Sequence, residues 1–235
     1  YAVISTTEAE AVARSGPSTS YSRVTPLING AVDNIVGEQN GYYLLQSGVW
    51  TDSKYVKVVN NKALASNKIS AITLKDNGSY TDITFKMPVN AVFGVEVSPS
   101  KVILNIYNTK GISTNAAAPS ASIFKSISYR DINGTAQYTF NLKSEDNYFG
   151  YYASYKNGSL VFSLKNAPKI SGTGSKPLTG LKVLLDAGHG GSESGAIGPL
   201  GKHGLYEKQI NLAITLNARK YLQNLGATVI MTRTS

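Results

Sequence analysis

Leu184-Leu185-Asp186-Ala187-Gly188-His189-Gly190-Gly191, followed further along by Glu207-Lys208, is the stretch on which the reading of the chain turns. An apolar run over 183–185 has the length and character of a short buried strand, and it delivers a histidine into a glycine-dense loop. From about 206 to 225 the apolar positions Ile210, Ala213, Ile214, Ala218, Tyr221, Leu222 and Leu225 fall on one helical face. Gly226 suits the C′ position that ends such a helix, and 227–232 reads as a second strand. Residues 179–235 are therefore expected to form a strand–loop–helix–strand α/β unit, with Glu207 in the helix's first turn. Imidazole nitrogen and carboxylate oxygen are zinc ligands, and a catalytic zinc keeps three protein ligands plus an open position. His189 and Glu207 supply two; no third is obvious in this stretch.

Each residue has a plainer explanation. A lone histidine is more often structural, and a glutamate in a first helical turn is stabilised by the helix dipole by roughly 0.3–1 kcal/mol. His203, the other histidine, stands four residues before Glu207, but Gly201 and Gly204 place it in the loop rather than on the helix. Asp186 is a candidate to hydrogen-bond the His189 nitrogen facing away from a metal. The glycine loop does not read as a phosphate cradle. From Gly188 the dinucleotide pattern meets Glu193 where it needs glycine, and His203 stands where a P-loop needs Ser or Thr.

Upstream, 1–58 alternates short apolar runs with turn signals, including Asn40-Gly41, a pair suited to a type I′ hairpin. Residues 59–68 read as a linker. Over 69–167, expected strands at 69–74, 80–85, 89–97, 101–107, 123–129, 136–142, 149–155 and 159–164 suggest a β-sandwich. Within 148–155, Phe149, Tyr151 and Tyr155 share one face by alternation, so core packing accounts for them better than sugar stacking. Residues 168–178, rich in Gly, Ser and Pro, read as a second tether. The fold class is thus multidomain: a small β-barrel, a β-sandwich, then an incomplete α/β unit.

Composition bounds the function. With 42% hydrophobic residues in 235, real cores are affordable, and no apolar run is long enough for a membrane-spanning helix. The absence of cysteine excludes disulfides and thiolate metal sites, and it fits an exported protein. The chain opens at Tyr1 with no leader pattern, as a mature form or a fragment would. Net charge is +9, with 1–60 near neutral and the excess beyond. Because the cations are spread singly, nucleic acid is not the expected partner; a basic surface favours anionic lipid or an anionic cell-wall polymer, and lysines spread on a solvated surface are the plainer reading.

The ordered set Leu185 to Gly191, Gly195-Ala196, Gly198 to Gly201, Glu207-Lys208 with Asn211-Leu212, and Gly226 to Arg233 resembles the opening of zinc-dependent N-acetylmuramoyl-L-alanine amidases of the amidase-3 type. The resemblance implies an α/β fold and cleavage of the amide between the lactyl group of N-acetylmuramic acid and L-alanine in peptidoglycan. It implies zinc as cofactor, with His189 and Glu207 as its first two ligands. A second histidine and a catalytic glutamate are implied beyond Ser235, so no catalytic residue is expected within 1–235, and the chain alone is expected to be inactive. Arg14 to Ser18, Tyr42-Tyr43, Gly48 to Trp50 and Lys54 to Val56 resemble a bacterial SH3 domain, and 69–167 faintly resembles an AMIN domain. Both point to a secreted or wall-associated protein. Two rival expectations stand beside this one: a non-catalytic wall-binding protein with a vestigial amidase segment, and another zinc exopeptidase.

Overall fold

A computed structural model of the chain describes residues 1–60, 62, 64–201 and 204–235. Residues Tyr1–Ala167 form one compact unit and Pro168–Ser235 a second.

The first unit is built almost wholly of antiparallel sheet. Ala13–Arg14, Trp50–Asp52, Tyr42–Leu45 and Ile35–Gln39 lie side by side in one small sheet, and Val32–Asp33, Ala2–Ile4 and Val56–Val58 in another. Gln39 pairs with Tyr42 across the Asn40-Gly41 turn, where both residues take positive φ (53° and 76°), as a type I′ hairpin requires. The same dipeptide turns the chain at Asn133-Gly134 and Asn157-Gly158, each joining two long strands.

Two four-stranded sheets make the larger part. One runs Ala71–Asp76, Tyr80–Lys86, Ser159–Lys165, Tyr151–Tyr155; the other Phe93–Ser98, Lys101–Ile106, Thr135–Leu142, Phe124–Ile132. Strict alternation explains the core. Along Thr135–Leu142 every second residue, Ala136, Tyr138, Phe140 and Leu142, is buried, as are Thr81, Ile83 and Phe85 opposite. Aromatic pairs join the two layers, Phe85–Tyr138 at 4.8 Å and Phe140–Phe162 at 5.7 Å between ring centroids. Burial pushes the Tyr138 phenol up to about 12, so at neutral pH its hydroxyl stays protonated and donates to Ile112 O (2.9 Å) while accepting from Ile112 N (3.1 Å). Tyr151 and Tyr155 point inward, but Phe149 is exposed. Gly150, at φ +102°, breaks the alternation between Phe149 and the strand that starts at Tyr151.

Residues 59–68 are not spacer throughout. Asn67–Lys68 pair in parallel with Thr109–Lys110, and the buried Asn67 amide donates to Val89 O and Thr109 Oγ1. Hydrogen bonds also run from the first 60 residues to the pair of four-stranded sheets. Val32 N donates to Asn90 O (2.8 Å) and Val95 N to Thr25 Oγ1 (2.9 Å), while within the larger region Tyr155 Oη donates to Ala91 O (2.6 Å) beside Asn90. The buried Asp33 carboxylate accepts from Asn34 N and Asn108 Nδ2 on Oδ1 and from Ser47 N on Oδ2.

In the second unit the strands Lys182–Leu185 and Thr228–Met231 pair in parallel, connected through the helix Glu207–Asn224. The helix ends in a Schellman motif: Gly226 N bonds Gln223 O, Ala227 N bonds Leu222 O, and Gly226 has φ +97°. The expected tether is ordered at its far end, where Leu178 N donates to Leu225 O and Ser171 N to Thr179 O. Neither strand nor helix is fully covered. Leu184 (66%) and Ile230 (53%) are exposed on one face of the strand pair, and Ile210, Ile214 and Tyr221 are exposed on the helix.

Burial raises the Asp33 pKa despite the hydrogen bonds that oppose the rise. A raised carboxyl contributes stability below its unfolded pKa and loses it as pH rises through the folded value. Its hydrogen bonds remain. Asp33→Asn turns an NH2 toward the Ser47 N–H, and we expect it to cost about 1–3 kcal/mol. The measurement is the urea midpoint at pH 7; an unchanged midpoint would show that Asp33 joins nothing of consequence.

Candidate functional site

The site lies at the carboxyl ends of the two parallel strands, where open α/β sheets place their ligands. Backbone hydrogen bonds assemble it first. Thr232 N donates to Leu185 O, and Thr232 Oγ1 donates to Asp186 Oδ1 (2.7 Å) and accepts from Ala187 N (3.3 Å). The chain after Ala187 then curls through His189, Gly190 and Gly191, all at positive φ (60°, 156° and 54°). Histidine rarely takes this conformation, and the loop holds it there.

Arg233 does the holding. Its Nε donates to Ala187 O (2.9 Å), and its Nη2 to Gly188 O (3.2 Å) and to Lys208 O in the first helical turn (2.7 Å). Asn211 Nδ2 adds a bond to Gly188 O, and Lys208 Nζ one to Gly191 O. Loop and helix are thereby locked together. The helix start is fastened in turn to the far side of the loop. Glu207 N donates to Ala196 O and Lys208 N to Ser194 O, and the Gln209 side chain caps Tyr206 N.

His189 and Glu207 meet. Nε2 of His189 lies 3.3 Å from Glu207 Oε2, with the side chains 31% and 41% exposed. That carboxylate oxygen also accepts from Ala196 N at 2.8 Å. The Glu207 pKa is lowered, first by this backbone bond and then by the nearby imidazole. Gly195, at φ +66°, is packed against the pair: a Cβ there would fall 2.6 Å from His189 Cδ2 and 2.8 Å from Glu207 Cβ and Oε2.

The remaining sequence candidates separate. Asp186 serves Thr232, and the group facing His189 Nδ1 is instead Glu193 Oε1, at 3.3 Å. Its i,i+4 spacing from His189 was visible in the sequence, but only the loop's curl brings it back onto the ring. His203 lies outside the described residues. Arg233 was legible only as the end of a motif, because its partners are carbonyls, which carry no residue-type signal.

Two ligands at 2.0–2.1 Å across a tetrahedral angle lie about 3.3–3.4 Å apart, and the His189–Glu207 spacing matches. The pair therefore fits zinc in donor type and separation. Among the described residues no group of three His, Cys, Asp or Glu converges as a metal site. Beside Glu207 opens an apolar cleft of about 740 Å³, lined by Ile197, Pro199, Leu200, Leu205 and Ile210.

Residues 183–235 match the family described as N-acetylmuramoyl-L-alanine amidase. Over 61 residues the chain is 51% identical to a germination-specific N-acetylmuramoyl-L-alanine amidase of Bacillus subtilis, covering 26% of this chain and 24% of that protein. It is 48% identical over 67 residues to the N-acetylmuramoyl-L-alanine amidase AmiA of Salmonella typhimurium, covering 28% of this chain and 21% of the relative. A longer, more distant similarity reaches the putative N-acetylmuramoyl-L-alanine amidase YrvJ of Bacillus subtilis, 24% identical across 98% of this chain and 56% of that protein. The chain thus spans about a quarter of the first two relatives. Among the described residues no helix is long and apolar enough to cross a membrane.

A depressed carboxyl pKa means that Glu207 stays ionised at pH values where an ordinary glutamate is protonated. The associated stability is present above the ordinary value and lost as pH falls through the lowered one. Gly195→Ala should force Glu207 off the Ala196 N–H and let its pKa climb back toward the ordinary glutamate value. Carboxyl-carbon NMR titration reads this directly, and an unmoved midpoint would mean that Gly195 does not hold the pair.

Proposed function

We propose that residues 179–235 form the zinc-binding opening of a peptidoglycan amidase that hydrolyses the amide between N-acetylmuramic acid and L-alanine. The observation that carries this reading is the convergence of His189 Nε2 and Glu207 Oε2 at a zinc-ligand spacing, inside the segment matched to the amidase family. Zinc, when bound, would polarise the scissile carbonyl and lower the pKa of a bound water. The chain's own residues do the preparatory work. His189 offers a neutral nitrogen and Glu207 an anionic oxygen held by Ala196 N–H, while Arg233 keeps loop and helix from drifting apart. The apolar cleft beside Glu207 gives the methyl-bearing lactyl and alanine groups a place to lie.

Among the described residues no third zinc ligand joins His189 and Glu207, and on this reading residues 1–235 alone are inactive. The β modules over 1–58 and 69–167 serve as SH3-like and AMIN-like wall-binding parts, aided by the basic charge beyond residue 60, which suits anionic wall polymers. The protein accordingly works outside the cell or at the wall.

Zinc titration of the chain tests the ligands: His189→Ala and Glu207→Ala should each weaken binding by at least about tenfold. Incubating the full-length gene product with purified peptidoglycan tests the reaction, and new L-alanine amino termini should appear with zinc and vanish with chelator. Release of amino acids from free peptides with muramyl-linked stems left intact would select the exopeptidase reading. Wall binding without any cleavage would select a non-catalytic protein.

A further inference from the structure

Both ring nitrogens of His189 face a carboxylate at 3.3 Å, Glu207 on Nε2 and Glu193 on Nδ1. A neutral imidazole has one N–H and one lone pair, so only one nitrogen can serve a cation while the other donates its proton. The surroundings distinguish the two sides. The Cδ2–Nε2 edge is enclosed: Gly195 lies against it so closely that a Cβ would clash, and the Glu207 carboxylate there is held by Ala196 N–H. The Nδ1 edge opens to Glu193, whose side chain is 75% exposed.

We propose that Glu193 is a positioning residue, accepting the Nδ1–H of His189 so that the Nε2 lone pair is presented on the side of Glu207. The inference rests on the zinc reading of His189 and deepens it by naming what selects the coordinating nitrogen. The loop is shaped for this. Gly190 and Glu193 exchange both backbone hydrogen bonds, Gly190 N to Glu193 O at 3.0 Å and Glu193 N to Gly190 O at 2.9 Å. Gly191 at φ +54° makes that reversal possible, and Lys208 Nζ ties it down through Gly191 O. The reversal brings the residue four positions on from His189 back over the ring without any helix. Because the two carboxylates stand on opposite ring nitrogens, Glu193 completes the support of the histidine rather than the ligand set.

The chain has two histidines, so His203→Gln leaves a background in which every imidazole signal belongs to His189. In that background, long-range ¹⁵N–¹H correlation at about pH 8, above the ordinary histidine pKa, reports the tautomer without any metal. The Nδ1–H form is expected. Glu193→Ala should shift the pattern toward Nε2–H and weaken zinc binding by about 10–100-fold, the range found for lost partners of metal-bound histidines. Glu193→Gln, whose amide oxygen still accepts, should restore the Nδ1–H pattern and part of the affinity. An Nδ1–H pattern that survives Glu193→Ala, with zinc affinity changed less than about twofold, would overturn the proposal. If the unaltered protein shows the Nδ1–H form but does not bind zinc, the zinc reading fails while the positioning contact stands.

Discussion

One guanidinium holds the candidate site together. Arg233 gathers the carbonyls of Ala187, Gly188 and Lys208, two from the loop that carries His189 and one from the helix turn that carries Glu207. These segments meet far apart in sequence, and the helix Glu207–Asn224 has no fully buried residue to pin them. A planar fork with several fixed donors can serve carbonyls lying in different directions, which a lysine's compact ammonium cannot do with the same geometry. The three oxygens in turn find their partners on Arg233 and Asn211. Loosen Arg233 and His189 loses its frame while Glu207 keeps its own, through Ala196.

This dependence also explains why the loop is so rich in glycine. Arg233 lies against Gly190, where a Cβ would sit 3.0 Å from its Cδ, and Gly195 lies closer still to His189 and Glu207. At both positions the space a side chain would need is occupied by the site itself. His189 tolerates a left-handed backbone because hydrogen bonds on either side leave it no other path. Strain of this kind, over-determined by its surroundings, is common where a side chain must be aimed.

What the sequence revealed and what it concealed divide along a physical line. Periodicity exposes elements that bury one face, so the strand over 182–185, the helix from 207 and most strands of the two four-stranded sheets were legible, and so was the Gly226 cap. His189 and Glu207 were legible as donor types with a family pattern around them. The contacts of Asp186 were not. Its direction depends on Thr232, a partner 46 positions away whose hydroxyl competes for the carboxylate. Glu193 was missed because its effect needs three successive positive-φ residues, a curl that no propensity encodes. The spacer reading of 59–68 overlooked Asn67, whose buried amide is an anchor because its partners are backbone and hydroxyl groups supplied by distant turns.

The second unit leaves apolar surface exposed beside its candidate site. Parallel strands are normally buried on both faces. Here the helix connection covers one side, while Leu184 and Ile230 stand exposed on the other and Ile210, Ile214 and Tyr221 stand exposed on the helix. At the carboxyl ends of the same strands two donor groups, His189 and Glu207, converge. In an α/β fold the strands that present an apolar face also carry the loops at the sheet's carboxyl end, where ligands bind. The same two strands thus set both the exposed apolar face and the place where His189 and Glu207 meet.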